Sequence, residues 1–399
     1  MRPDAAMSLA LLTLVQSVLA AEVRLSNLQL PTDQHGQPLI TGEANMLNNL
    51  RKDGHFYLYM TNWGCCPQAN CCEPGLPWPE NNCWTCCAAQ VASACTYAGN
   101  HTLSAYRTRD FEAWEHLPDV VGDGPPSRNP GVAFVPVVVH NKRHDKYVMW
   151  YENFNMTAEF KKCCIDSTKL DCCHGQYSVA LSDRADGGFV TERQGPGHAA
   201  NCTCCNYQGD FTLFVDDDEA TGYLVVRHDG FFCIEQLDET FTAGTGLVHH
   251  APMVENKDIP GDEAPILFRR GGTYYLLEAT GCCGCKGGST TYVLTADHPL
   301  GPYTLQGNIG EAADGSPVTK AQPRSVFKVP APGGGEPTIV HLSNNYVPGE
   351  GGEGTCTNGG LLYWYPLQFG SDGQLRNLTW RDEVRFEMAD EEEAVYRYF

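Results

Sequence analysis

The chain has 399 residues, and 27 Lys and Arg against 48 Asp and Glu leave a formal net charge of −21. A surface of that sign repels phosphate backbones and polyanionic glycans such as pectate, which excludes nucleic acid as a partner. Hydrophobic residues make up 42%, enough for a sizeable core, while 41 Gly and 25 Pro, about one residue in six, demand many turns between short strands and so point to an all-β protein.

Residues 1–20 read as a secretory signal peptide. Arg2 precedes an apolar run from Ala5 to Leu19, too short to span a bilayer, and Val18-Leu19-Ala20 supplies small or medium residues for cleavage before Ala21. No other segment has the composition of a membrane span, so the mature protein is expected to be secreted. Four Asn-x-Ser/Thr sequons, at Asn100, Asn155, Asn201 and Asn377, agree with export and predict a glycoprotein. The 20 cysteines are even in number and include seven vicinal pairs. Zinc would need two CxxC-type knuckles, and Cys83-Trp-Thr-Cys86 has no second one at the right distance. The cysteines therefore read as disulfides of an oxidising compartment. Adjacent cysteines rarely bond each other, because the peptide joining them would have to distort, so a pair such as Cys204/Cys205 should staple two different partners.

From residue 21 to 399 there is no long helical periodicity and no linker, which predicts a single domain. A Gly or Lys turn followed by an aromatic strand recurs along the chain: Gly54-His-Phe-Tyr-Leu-Tyr-Met60, Lys146-Tyr-Val-Met-Trp-Tyr151, Gly222-Tyr-Leu-Val-Val226 and Gly272-Thr-Tyr-Tyr-Leu-Leu277. A second strand follows, ending in an acidic or Gly turn ahead of an aromatic, as at 104–114, 177–189 and 292–303, with fainter copies at 233–237 and 362–369. Five such strand pairs predict a five-bladed β-propeller of four-stranded antiparallel blades, in preference to a β-sandwich of unrelated strands.

Several of these segments resemble glycoside hydrolase family 43, whose fold is a five-bladed propeller. Tyr106-Arg-Thr-Arg-Asp-Phe-Glu-Ala-Trp114 matches one of its strand–turn elements. The branch containing exo-β-1,3-galactanases is matched by Lys146-Tyr-Val-Met-Trp150, by Gly209-Asp-Phe-Thr-Leu-Phe-Val-Asp-Asp-Asp218, and by Asp262-Glu-Ala-Pro-Ile-Leu-Phe268 with Gly272-Thr-Tyr-Tyr-Leu276. Order and spacing agree over roughly residues 35–385. Two departures concern charge: the Arg that usually precedes each catalytic carboxylate is Gly209 before Asp210 and Asp262 before Glu263. The cysteine-rich stretch at about 63–95 is an insertion relative to the family pattern.

The resemblance implies a secreted glycosidase, inverting and exo-acting, on β-1,3-galactan or a related neutral arabinogalactan-type glycan, with an oligo- or polysaccharide as substrate partner. Inverting hydrolysis needs a protonated carboxyl for the leaving oxygen and a base for water. Glu263, opening an apolar strand, is the expected general acid, since partial burial would raise its pKa. Asp210 is expected to orient it and tune that pKa. Glu152 is a candidate base or water-facing group and Gln322 a candidate for positioning water. The Asp that most of the family place in blade one is absent, with Glu43 close by. Trp63, Tyr151 and Trp364 are candidate sugar platforms, although blade packing consumes most aromatics of this kind. No cofactor is required and no metal-ligand set is recognised. Asp216-Asp-Asp218 reads as a hairpin turn, and a structural calcium in the central channel is compatible with a propeller. Two alternatives stay open, a catalytically impaired glycan-binding propeller and an arabinosidase or xylosidase of the same family.

Overall fold

A computed structural model describes residues 20–39, 42–62, 102–121, 131–155, 176–192, 200–206, 209–228, 230–254, 263–280, 288–319, 321–344, 361–390 and 393. The signal-like segment and the cysteine-rich stretch 63–95 lie outside them. Among the described residues, no helix is long and apolar enough to cross a membrane.

The described chain is all-β, apart from two short 3-10 turns, and forms five blades in chain order. Blade one holds β2 (Gly42–Met46), β3 (Phe56–Asn62), β4 (Thr102–Thr108) and β5 (Glu115–Leu117). Blade two holds β6 (Gly131–Asn141), β7 (Lys146–Asn155), β8 (Gln176–Ser182) and β9 (Val190–Thr191). Blade three runs from β10 (Phe211–Val215) through β11 (Gly222–His228) and β12 (Phe231–Leu237) to β13 (Gly244–Pro252). Blade four comprises β14 (Glu263–Arg270), β15 (Thr273–Thr280), β16 (Thr290–Ala296) and β17 (Thr304–Asn308). In blade five, three strands lie among the described residues: β18 (Gln322–Val329), β19 (Thr338–Asn344) and β20 (Leu362–Pro366). All pairings within the blades are antiparallel, and the first strands β2, β6, β10, β14 and β18 neighbour one another in a closed ring. The recurrent aromatic strands of the sequence are the second strands of blades one to four, so the repeat marked the blades correctly.

Both faces of a blade are buried against neighbouring blades, which is why these strands are nearly continuous in apolar residues rather than alternating. Five hydrophobic clusters fill the five interfaces between blades. In two blades the turn after the third strand carries an Asp that accepts backbone N–H bonds and a buried Phe at left-handed φ. Asp110 Oδ1 accepts from the amides of Glu112 and Ala113, and Phe111 has φ 64°. Asp238 Oδ1 accepts from Thr240 and Thr242, and Phe241 has φ 62°. The Phe carbonyls then receive indole N–H bonds, from Trp114 at 3.0 Å and Trp150 at 2.9 Å, so each turn is locked into the interface it plugs.

The first and last described strands meet in a separate two-stranded sheet, β1 (Ala21–Ser26) with β21 (Glu383–Met388), packed beside blade five. Asn27 fixes it there: its amide group donates to the Trp364 carbonyl at 3.1 Å and accepts from the Trp364 N–H at 2.8 Å. Four cysteines lie among the described residues and form two disulfides, Cys204–Cys233 and Cys202–Cys205. Vicinal Cys204 and Cys205 thus hold different partners, as the constraint on adjacent cysteines predicts.

Candidate active site

Four of the five inner strands begin at a local irregularity, and the polar side chains of the site lie at or beside these positions. In β2 the register shifts between Gly42 and Asn45, with Glu43 at φ 51°. In β14 it shifts between Glu263 and Ile266, with Ala264 at φ 50°. In β18 the shift falls between Pro323 and Ser325, around Arg324. Bulges of this kind turn side chains out of the strand's ordinary alternation, and a left-handed non-Gly residue costs about 1–3 kcal/mol that the surrounding sheet must hold. Pro265 falls within its shift and Pro323 borders the other, positions near a strand start where a proline's missing N–H is tolerated. Blade three uses glycine instead: Gly209, at φ 135°, precedes Asp210, and Tyr177 on β8 anchors it by donating to its carbonyl at 2.7 Å.

The result is a polar cluster fed by every blade. Gln322 lies at its centre, with its amide nitrogen donating to Glu263 Oε2 at 2.9 Å and to Asp210 Oδ2 at 3.2 Å. Its Oε1 accepts from Arg324 Nη2 at 2.8 Å. Arg324, whose side chain is only 4% exposed, also binds Asp210 Oδ2 through Nη1 at 3.1 Å and forms an ion pair with Glu43. Glu152, buried in β7 opposite Phe134 and Tyr177, completes the group.

Electrostatics separate these carboxyls into distinct states. Part of the Glu263 surface remains open, yet protein surrounds its carboxyl closely enough that desolvation, followed by the charge on Asp210, pushes its pKa up to about 8, against the pull of Arg227 and Arg324. Glu152 is driven well above the usual carboxylate range, first by burial and then by Asp210 and Glu43. Asp210 and Glu43 each form an ion pair with the Arg324 guanidinium. The site therefore sets a Glu263 carboxyl of raised pKa beside Asp210, the two bridged by one amide.

Glu263, Asp210, Glu152 and Gln322 are thus brought together, as their motifs predict. Tyr151 and Trp364 are not part of the cluster. Each is fully buried in an interface between blades, Tyr151 donating or accepting at Thr191 Oγ1 over 3.1 Å and Trp364 packed against Phe111 and Phe327. A sugar platform must show a ring face to solvent, and neither does; the expectation for these two residues is corrected accordingly. Trp63 lies outside the described residues. Sequence reasoning assigned no role to Arg324, although alternation along a strand places it on the same side as Gln322, two residues before it. Arg227 was also missed. With the β10–β11 register at Phe211↔Val226, Asp210 falls opposite Arg227, and the Arg227 N–H donates to the Asp210 carbonyl at 3.1 Å.

At the opposite ends of the inner strands lies a cavity of about 290 Å³. Among its charges, Arg269 pairs with Asp216 at 3.0 Å and Lys328 with Asp217 at 3.0 Å, while the neighbouring Asp218 caps its own turn through Thr221 and Ala220. With these partners engaged, Asp216–Asp218 do not fit a calcium site. Among the described residues no group of three or more His, Cys, Asp or Glu is arranged to hold a metal.

The model of glycosyl hydrolases family 43 matches residues 87–375. Among solved structures, a β-1,3-galactosidase of that family with bound galactodeoxynojirimycin is similar at a TM-score of 0.62 and 17% identity, covering 90% of this chain and 99% of that one. An exo-β-1,3-galactanase from Clostridium thermocellum gives 0.61 and 19% over 92% of this chain and 67% of its own. One from Phanerochaete chrysosporium, solved with galactose, gives 0.59 and 16% over 93% and 69%. At these identities the likeness to the solved structures is one of fold. No curated protein matches the sequence.

Proposed function

The chain belongs to glycosyl hydrolases family 43 and is a glycosidase acting on O-glycosyl bonds of a carbohydrate substrate, and from that premise we propose that it is a secreted, exo-acting, inverting enzyme that removes galactose from a neutral β-1,3-linked galactan. The observation carrying this reading is the Gln322 amide shared by Glu263 and Asp210. It supports Glu263 as the general acid: the proton retained by burial is delivered to the glycosidic oxygen, and Asp210, anchored by Arg324, holds the carboxyl in orientation. Burial of Glu152 argues against its serving as the base near neutral pH. Glu43, an ion-paired carboxylate in the blade where most of the family have an Asp, is the group we assign to proton abstraction from water. Net negative charge favours a neutral glycan, and galactanases among the similar structures favour galactose.

The test is hydrolysis of a β-1,3-galactooligosaccharide followed by NMR of the first-formed sugar. Release of α-galactose, with Glu263→Gln lowering the rate by about 10²–10⁴ while sparing activated aryl galactosides, is expected. Binding of the oligosaccharide without any turnover would overturn the reading in favour of a glycan-binding propeller.

A further inference from the structure

Gly209 occupies the position at which related sequences carry an arginine next to the catalytic Asp, and the structure shows what fills the space. A Cβ built on Gly209 would stand 3.0 Å from Arg227 Cδ, 3.6 Å from its Cβ and 3.8 Å from its Cγ. The aliphatic stem of Arg227, on the neighbouring strand β11, therefore lies across the volume that a side chain at 209 would need. Backbone pairing fixes this placement, since Arg227 N–H donates to Asp210 O and Tyr177 holds the Gly209 carbonyl from the other side.

We propose that Arg227 is a positioning residue of the Glu263–Asp210 pair, supplying across the β10–β11 ladder the cation that Gly209 does not. The inference rests on the reading of Glu263 as the acid. The groups facing Glu263 are Asp210 ahead of β10, Arg227 from β11, Gln322 and Arg324 from β18, and Glu152 from β7. Without a compensating cation this neighbourhood has three further carboxyls, Glu43 included, for one guanidinium, that of Arg324. Arg227 provides the second guanidinium, and its field opposes the desolvation and the Asp210 charge that keep Glu263 protonated. Glu263 can then lose its proton during turnover and regain it from solvent, as a general acid must. Gly209 is required by the same arrangement: any side chain there would displace the Arg227 stem.

Two readouts test this. Difference infrared titration, with Glu263→Gln as the subtraction standard, follows the Glu263 carboxyl directly and needs no turnover. The basic limb of the kcat/KM–pH profile on the galactooligosaccharide follows it through activity. Arg227→Met should raise both midpoints together by about one pH unit or more, the effect of an opposite charge at close range. Arg227→Lys should restore most of the difference. If Arg227→Met does not fold, Arg227→Gln, which removes the charge and keeps a polar stem, is read in the same way. Unchanged midpoints in a folded, charge-free variant would overturn the proposal. Failure of the wild type to turn over would defeat the reading of Glu263 as acid, and the infrared midpoints would still decide the role of Arg227.

Discussion

His341 offers a measurement in which the buried interface between blades four and five reports on itself. It lies in β19 opposite Val326 and Tyr365, fully buried, and among the described residues neither ring nitrogen has a hydrogen-bond partner. Burial pushes its pKa down from 6.5 to about 4. Above pH 6.5 the ring is neutral in both folded and unfolded chains. Between pH 6.5 and 4 only the unfolded chain takes up the proton, so this histidine removes stability as pH falls, by up to about 1.4 kcal/mol per pH unit and about 3 kcal/mol in all. The perturbation is His341→Leu, which keeps an apolar side chain of similar bulk and deletes the titration. Urea unfolding at a series of pH values from 7 to 4 gives the two stability curves, and their difference cancels the contribution of every other group. The wild type should lose about 3 kcal/mol relative to the variant across that window. Parallel curves would refute the reasoning, because they would mean that the imidazolium finds a partner or water inside the fold.

Two further expectations follow from the site and the blade packing. Glu152→Gln, which imitates a protonated carboxyl, should retain most activity near neutral pH, whereas Glu43→Gln should lose it by at least about 10²-fold; comparable kcat losses in the two would contradict the assignment of the water side. Gly222→Ala would put a Cβ 2.8 Å from the Phe241 ring, which is buried and accepts the Trp150 indole N–H on its carbonyl, and should lower stability by about 1–3 kcal/mol in a thermal melt.

The legible part of this protein was its repetition. Tyr57, Met149, Tyr223 and Tyr275 sit in second strands that share one form, and a ring of equivalent blades follows once those strands are recognised. Glu263, Asp210, Glu152 and Gln322 were legible through the resemblance of their segments to the galactanase branch of the family. Tyr151 and Trp364 were harder to place. In a propeller both faces of a strand are interior, so an aromatic near a strand end has no sequence mark that separates a ligand face from a blade interface. Glu43 and Ala264 take left-handed φ without being glycine, which local propensity does not foresee because the surrounding sheet imposes it. Arg227 could be found only after the β10–β11 register was known, since 18 residues separate it in sequence from the glycine whose space it uses.

The cluster draws one or two polar groups from each of five blades, and this makes the site a property of the closed ring alone. An assembly without the last blade lacks the Gln322 bridge between Glu263 and Asp210 together with Arg324, and one without the first lacks Glu43, the ion-pair partner of Arg324. Ligand occupancy would then be coupled to closure as a whole: a sugar held across the axis stabilises every blade interface at once, and by the same mass action an opened ring has no affinity to lose gradually. A folding intermediate lacking one blade should be silent toward substrate, however native its remaining sheets.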